Sequence, residues 1–236
     1  MVETDLYDNR MTGKLVAEAV LRLFDRDGTV YLATGYFTWS GYLTVRDAMQ
    51  AFLARSPENE VYVLVSTGAD QFSRLVARAL WEQDVDDRLH LLTYRDGFIH
   101  PKLYLRDGDA PALVMGSANL TWDGLGKNLE LAWYYEPDEP DDEIYRTHLL
   151  WMRAFTAACT PVTPADLTWQ ARFRKTAETW LSKGRINVPS MIRGALPFGE
   201  RVAATSPLAR AERENDGATI AGDGDEPSAG TGTSGW

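Results

Sequence analysis

Two uninterrupted apolar runs, VYLATGYF at 30–37 and VYVLVST at 61–67, flank a segment of helical length and period, LTVRDAMQAFLAR at 43–55. Runs of that kind suit strands buried on both faces, the condition of a parallel sheet covered by helices. The alternation continues. A helix pattern at 71–83, QFSRLVARALWEQ, leads to a third run, RLHLLTY, and a fourth strand is expected over Phe98–Leu105. Upstream, TGKLVAEAVLRLFD at 12–25 places Val16, Ala19, Val20, Leu23 and Phe24 at helical spacing before Asp27-Gly28 turns the chain. Downstream, a helix from Asp142 to Cys159 should carry Tyr145, Leu149, Met152 and Phe155 into the core, and TPVTP should stop it. This order predicts an α/β fold: a mixed, largely parallel sheet flanked by helices.

The stretch from His100 to Glu130 carries the chemistry. Two short apolar runs, HPKLYL and ALVMGSAN, are joined by RDGDAP, a strand–turn–strand signal. Side chains alternate across a strand, so His100 and Lys102 are expected on one face and Leu103 and Leu105 on the other. An imidazole and an ammonium beside the small polar residues Ser117 and Asn119 make an anion pocket, with Gly116 permitting a close backbone approach. A third run, LELAWYY, offers Glu130, a carboxylate suited to hold an imidazole in one tautomer.

Written as a pattern, the stretch is H-x-K, four residues, D, then G-S-x-N, a Thr, a Gly and N-x-E. Its residues are His100, Lys102, Asp107, Gly116, Ser117, Asn119, Thr121, Gly124, Asn128 and Glu130. That pattern resembles the phospholipase D superfamily. The gap of eight residues between Asp107 and Gly116 is slightly long for it, which a turn insertion accounts for. A lone H-x-K is a weak signal, but the joint match over thirty-one residues is specific. The resemblance implies a phospholipase D-like α/β/α sandwich that cleaves phosphodiesters through a phosphohistidine on His100, with no metal or other cofactor. An imidazole is a good nucleophile near neutral pH. By the same resemblance, Lys102, Ser117 and Asn119 donate to the non-bridging phosphate oxygens, and Glu130 orients an imidazole. A second histidine, from a second copy of the motif, protonates the leaving oxygen and then activates water.

Only one of the three histidines sits in an H-x-K; His90 and His148 read as structural, as does Asp107 in its turn. One chain therefore supplies half a site, and a homodimer is the simplest completion. The GSANLTWDGL segment and the strand ending in YF look more like the family's small single-motif bacterial nucleases, and the catalytic domains of some restriction endonucleases, than its lipid enzymes. The expected function is a nuclease, acting on DNA rather than RNA. Two alternatives stand beside it: a phospholipid hydrolase or transferase, and a non-catalytic or partner-dependent subunit of a DNA-defence or repair complex. A helicase or specificity subunit is an expected kind of partner.

With 236 residues, the chain has room for one catalytic domain, expected over 1–160. A basic helical and loop extension is expected over 161–210 and a disordered acidic tail over 211–236. The net charge of −10 looks wrong for a nucleic-acid binder, but its distribution matters more than its sum. Residues 171–210 hold eight Lys or Arg against two Glu, whereas 211–236 hold six acids and one base. Arg172, Arg174, Lys175 and Arg185, interleaved with Phe173 and Trp180, could track a phosphate backbone; equally, the aromatics could pack this helix while the Arg residues solvate it. Trp39 and Tyr42, in a TWSGY loop after the first buried strand, read either as a lip of the substrate groove or as a hydrophobic plug. The single cysteine, Cys159, forms no internal disulfide, no signal peptide is expected in the acidic N-terminal stretch, and no apolar run is long enough to span a membrane. A cytoplasmic protein is expected.

Overall fold

The apolar runs become the middle of an eight-stranded sheet. The computed structural model describes residues 2–68, 71–84 and 86–167. Along the chain come β1 (Glu3–Tyr7), α1 (Val16–Leu21) continuing into a 3-10 turn (Arg22–Phe24), β2 (Thr29–Thr34), α2 (Trp39–Arg55), β3 (Glu60–Val65) and α3 (Arg74–Gln83). Then follow β4 (Leu89–Thr93), β5 (Leu103–Asp107), β6 (Ala112–Gly116), a π-helical turn (Asp123–Lys127), β7 (Ala132–Glu136), α4 (Glu143–Ala158) and β8 (Thr160–Pro161). The strands lie in the order β1-β7-β6-β5-β2-β3-β4-β8.

The sheet is mixed and flanked by helices, as expected. Its parallel part is confined to β2, β3 and β4, and every other ladder is antiparallel. The parallel share is thus smaller than the strand–helix alternation suggests. The physical reason is the connections: β5 and β6 are joined by a tight turn, which allows only antiparallel return, and β5 crosses back to pair with β2 rather than β4.

Alternation along the central strands feeds two apolar layers. Val30 and Leu32 of β2 and Val61, Val63 and Val65 of β3 pack with Val20, Val45, Met49, Phe52, Val76 and Leu80 from α1, α2 and α3. On the other face Tyr31, Ala33, Leu64, Leu103, Leu105 and Leu113 meet Tyr145, Leu149 and Met152 of α4. A strand covered on both sides has no polar face, which is why these runs read as unbroken apolar sequence. Asp142 caps α4, its carboxylate accepting from the Tyr145 amide at 2.9 Å.

Several boundaries differ from the sequence expectation. The first helix starts at Val16, not near residue 12, because the Asp8 carboxylate draws the amides of Arg10, Met11 and Thr12 into a turn at 2.7–3.0 Å. β1 and β8 have no counterpart in the apolar pattern of the sequence. Both are edge strands: ETDLY is too polar to show an apolar period, and Pro161 sits where no ladder donor is needed. The acidic tail and all of the basic extension past Leu167 lie outside the described residues. Among the described residues, no helix is long and apolar enough to cross a membrane.

Candidate active site

One rim of the sheet gathers the motif. Ala33, near the end of β2, pairs with Leu103 at the start of β5; Leu103 pairs with Met115, and Gly116 at the end of β6 pairs with Ala132 at the start of β7. His100 and Lys102 do not lie on a strand, contrary to the expectation of Phe98–Leu105. They occupy the irregular approach to β5. Two bonds anchor this approach in place of a ladder. The Ile99 amide donates to Ser66 Oγ at 2.7 Å, beyond the end of β3, and the Lys102 carbonyl accepts from the Gly116 amide at 3.2 Å. Gly116 is needed for the second: a Cβ there would run into the Leu131 carbonyl of the neighbouring chain segment.

The side chains form three linked groups. Lys102 Nζ lies 2.5 Å from His100 Nδ1 and donates to the His100 carbonyl at 2.8 Å. An ammonium has no acceptor, so while Lys102 is charged it is the donor in this contact and Nδ1 the acceptor. The Ser117 hydroxyl is hydrogen-bonded to the Glu130 carboxylate and also accepts from the Leu131 amide at 3.1 Å. Asn119 Oδ1 accepts from the Tyr36 amide at 3.2 Å and stands 3.4 Å from Thr34 Oγ1. With its oxygen held in this way, Asn119 turns its amide nitrogen, the donor, to the open side. The site thus presents an imidazole, an ammonium, a hydroxyl and an amide N–H₂ to the same rim.

The rest of the motif builds the loop. Thr121 Oγ1 accepts from the Gly124 amide at 2.9 Å and starts the π-helical turn. Gly124 packs on the Asn119 backbone, where a Cβ would stand 2.7 Å from the Asn119 carbonyl oxygen. Asn128 closes the turn, its amide donating to the Asp123 carbonyl at 2.7 Å.

Residues 22–147, from the 3-10 turn after α1 into α4, take in the helical core and the whole rim. They match the family described as "Cardiolipin synthase, PLD-like domain". That match covers more than half of the chain. The chain belongs to the phospholipase D superfamily. Solved structures agree at the level of fold. Nuc from Salmonella typhimurium, a phospholipase D family member, is 15% identical, with a TM-score of 0.54, over 69% of this chain and 99% of Nuc. NucT from Helicobacter pylori is 12% identical, with a TM-score of 0.52, covering 69% and 100%. Phosphatidylserine synthase from Haemophilus influenzae Rd KW20 is 14% identical, with a TM-score of 0.51 over 77% of this chain, which spans 47% of the synthase. No curated protein matches the sequence significantly.

Within this phospholipase D-like rim, Ser117 is the partner that one chain gives Glu130. The N-terminal segment contributes residues that motif reasoning missed. The Asp8 carbonyl accepts from the Glu130 amide at 3.4 Å, and Asn9 Nδ2 donates to the carbonyls of Gly124 and Asn128 at 2.9 and 3.0 Å. Asn9 Oδ1 also accepts from the Val16 amide at 2.7 Å. Asn9 has φ 66°, a left-handed conformation that Asn tolerates, and the Asp-Asn pair in an otherwise polar stretch was the only sequence hint of a turn.

The aromatic loop expected at TWSGY is the first turn of α2. Thr38 caps that helix, accepting from the Gly41 amide at 3.2 Å. Tyr42 is 1% exposed, its hydroxyl bonded to Gln83, and its ring is 5.2 Å from that of the half-buried Trp39. Tyr42 therefore plugs the core, and the half-buried Trp39 packs against it at the start of α2. Arg172, Arg174, Lys175 and Arg185 lie outside the described residues. His90 stacks on Tyr62 with ring centroids 4.2 Å apart, and His148 Nδ1 lies 2.7 Å from the Ile144 carbonyl of its own helix. Asp107, at the far end of β5, pairs with Arg153 and stands 3.4 Å from the Tyr145 hydroxyl, a structural place as expected.

Burial pushes the Lys102 amine below the usual lysine range, and the Glu130 carboxylate partly offsets this. If turnover needs the ammonium, its alkaline limb should fall at lower pH than an ordinary lysine would set. Glu130→Gln removes an attractive charge, so the limb should move lower still. A pH profile of kcat/KM reads both; a limb that stays in place in Glu130→Gln removes Glu130 from the surroundings that set the Lys102 charge.

Proposed function

We propose that this phospholipase D superfamily member is a nuclease that hydrolyses the phosphodiester backbone of DNA through a phosphohistidine on His100, in a site completed by a second copy of the chain. The observation that carries the reading is the single rim on which His100 and Lys102 meet Ser117, Asn119 and Glu130. Two further facts support it. The chain holds one H-x-K, and its match to Nuc and NucT takes in 99% and 100% of those chains, whereas it spans only 47% of the phosphatidylserine synthase.

The steps follow from the donors. A phosphodiester entering the rim draws Lys102 to a non-bridging oxygen and so frees Nδ1 of His100. A His100 ring nitrogen attacks phosphorus while the bond to the leaving oxygen breaks. The second copy's His100, as imidazolium, gives the leaving oxygen its proton. Now neutral, that imidazole takes a proton from water, whose oxygen displaces His100 and yields a phosphomonoester. Lys102, Ser117 and Asn119 balance the charge on the non-bridging oxygens throughout.

An apolar strip beside the rim supports the second copy. Leu6, Trp133 and Met115 are register partners across β1, β7 and β6, so they share one face of the sheet. Leu6 is 50% exposed and Leu131, beside Glu130, is 58% exposed. Leu131→Asp is expected to turn a dimer into a monomer by light scattering and to lower turnover about 10²- to 10⁴-fold, the worth of a general acid. Full activity in a monomer would contradict shared histidines. The function itself is tested by offering labelled DNA and RNA, and phospholipid vesicles, to the full chain in excess chelator. Release of DNA fragments supports the reading, and cleavage of phospholipid alone overturns it.

A further inference from the structure

The rim that carries His100 continues past Phe98 into a cavity of about 390 Å³, within the usual range of ligand pockets. Ser66, Thr67, Gln71, Thr93, Tyr94 and Phe98 line it, at the carboxyl ends of β3 and β4. That is where an α/β sheet binds ligands. We propose that this cavity takes an unstacked nucleobase next to the phosphate being cut, so that the substrate is single-stranded or locally opened nucleic acid. The inference rests on the nuclease reading and narrows it.

Three observations point to a base. First, Phe98 lines the cavity and borders the nucleophile: the residue is 46% exposed, and its ring lies 5.4 Å from the His100 ring, with Tyr36 6.3 Å away on edge. An exposed aromatic two residues before the nucleophile is a platform on which any base can stack. Secondly, the walls include the Gln71 carboxamide and the Tyr94 hydroxyl, groups that can pair with the donors and acceptors of a base edge, while Ser66 Oγ is held by the Ile99 amide. Thirdly, the cavity does not suit a second phosphate. Arg95, its cation, is held by the Asp166 carboxylate and bonded to Thr160 Oγ1 at 2.9 Å. A base stacked inside a duplex cannot reach such a pocket; it must leave the stack first.

The test uses the full chain and a short oligonucleotide with one cleavable phosphodiester, the others being methylphosphonates. An abasic residue is placed on either side of that bond in turn. On one side, the abasic strand should lose about tenfold or more in kcat/KM with wild type, the factor that one base on an aromatic ring supplies. In Phe98→Ala the unmodified strand should already be cut slowly, and the abasic change should add less than about twofold, since the ring that the base stacks on is gone. Phe98→Trp should restore the difference. Gln71→Ala should lower the ratio of oligonucleotide to bis(p-nitrophenyl) phosphate hydrolysis. An equal abasic loss in wild type and Phe98→Ala, or a matched duplex cut as fast as the single strand, overturns the inference. If bis(p-nitrophenyl) phosphate is hydrolysed while the abasic change costs nothing, the base pocket fails and the phosphodiesterase stands. If neither substrate is cut, the nuclease reading fails and takes the pocket with it.

Discussion

Replacing His100 by alanine is expected to abolish phosphodiester cleavage, with a loss of at least about four orders of magnitude, the scale seen when a nucleophile is removed. The side chain is exposed and, among the described residues, its contacts are with Lys102 and the ring of Phe98, so the variant should fold as wild type does. Wild-type activity should persist in excess EDTA, because Lys102 supplies the positive charge that a metal ion would otherwise bring to the phosphate. Among the described residues, no three His, Cys, Asp or Glu side chains are grouped to hold a metal ion. Cleavage by His100→Ala at near wild-type rate would remove the phosphohistidine from the mechanism. So would a covalent phosphate adduct that survives in that variant.

The second large effect is expected from Asn119→Asp. The substitution keeps the oxygen that receives the Tyr36 amide at 3.2 Å, so the end of β2 stays tied to the loop. It replaces the outward amide nitrogen with a carboxylate oxygen, which faces the phosphate with the wrong charge. Loss of one oxyanion donor costs about 3 kcal/mol, or roughly 10²-fold or more in kcat, and the added repulsion should deepen this. Lys102→Ala should lose a similar amount. If either variant kept near wild-type kcat while its thermal unfolding was unchanged, the donor role of that residue would be wrong.

His100, Lys102, Ser117, Asn119 and Glu130 were legible because their types and spacing carry chemistry whatever the local backbone does. What each one touches was less legible. Alternation placed His100 and Lys102 on a strand, but β5 begins only after Lys102, since the Gly116 amide reaches the Lys102 carbonyl and Ser66 holds Ile99. Trp39 and Tyr42 illustrate a different gap: aromatics beside a glycine suit a groove or a core equally. Thr38 decides between them by capping a helix, and Leu120, whose carbonyl lies against Gly41, leaves room there only for glycine. The cavity beyond Phe98 could not be read at all. Its walls come from Ser66, Thr67 and Gln71 on one segment and from Thr93, Tyr94 and Phe98 on another, which only the parallel pairing of β3 with β4 brings side by side.

Asn9 fastens carbonyls 115 and 119 residues farther along, and β1 zips onto β7, so the first strand of this domain meets the loop that bears Glu130. The β5–β6 hairpin closes over a few residues, whereas contacts of such long span form slowly and late. A chain growing from its N-terminus therefore shapes the Lys102 side of the rim well before the Glu130 side. For an enzyme of the proposed activity, this order of assembly delays the onset of cutting until synthesis has passed β7.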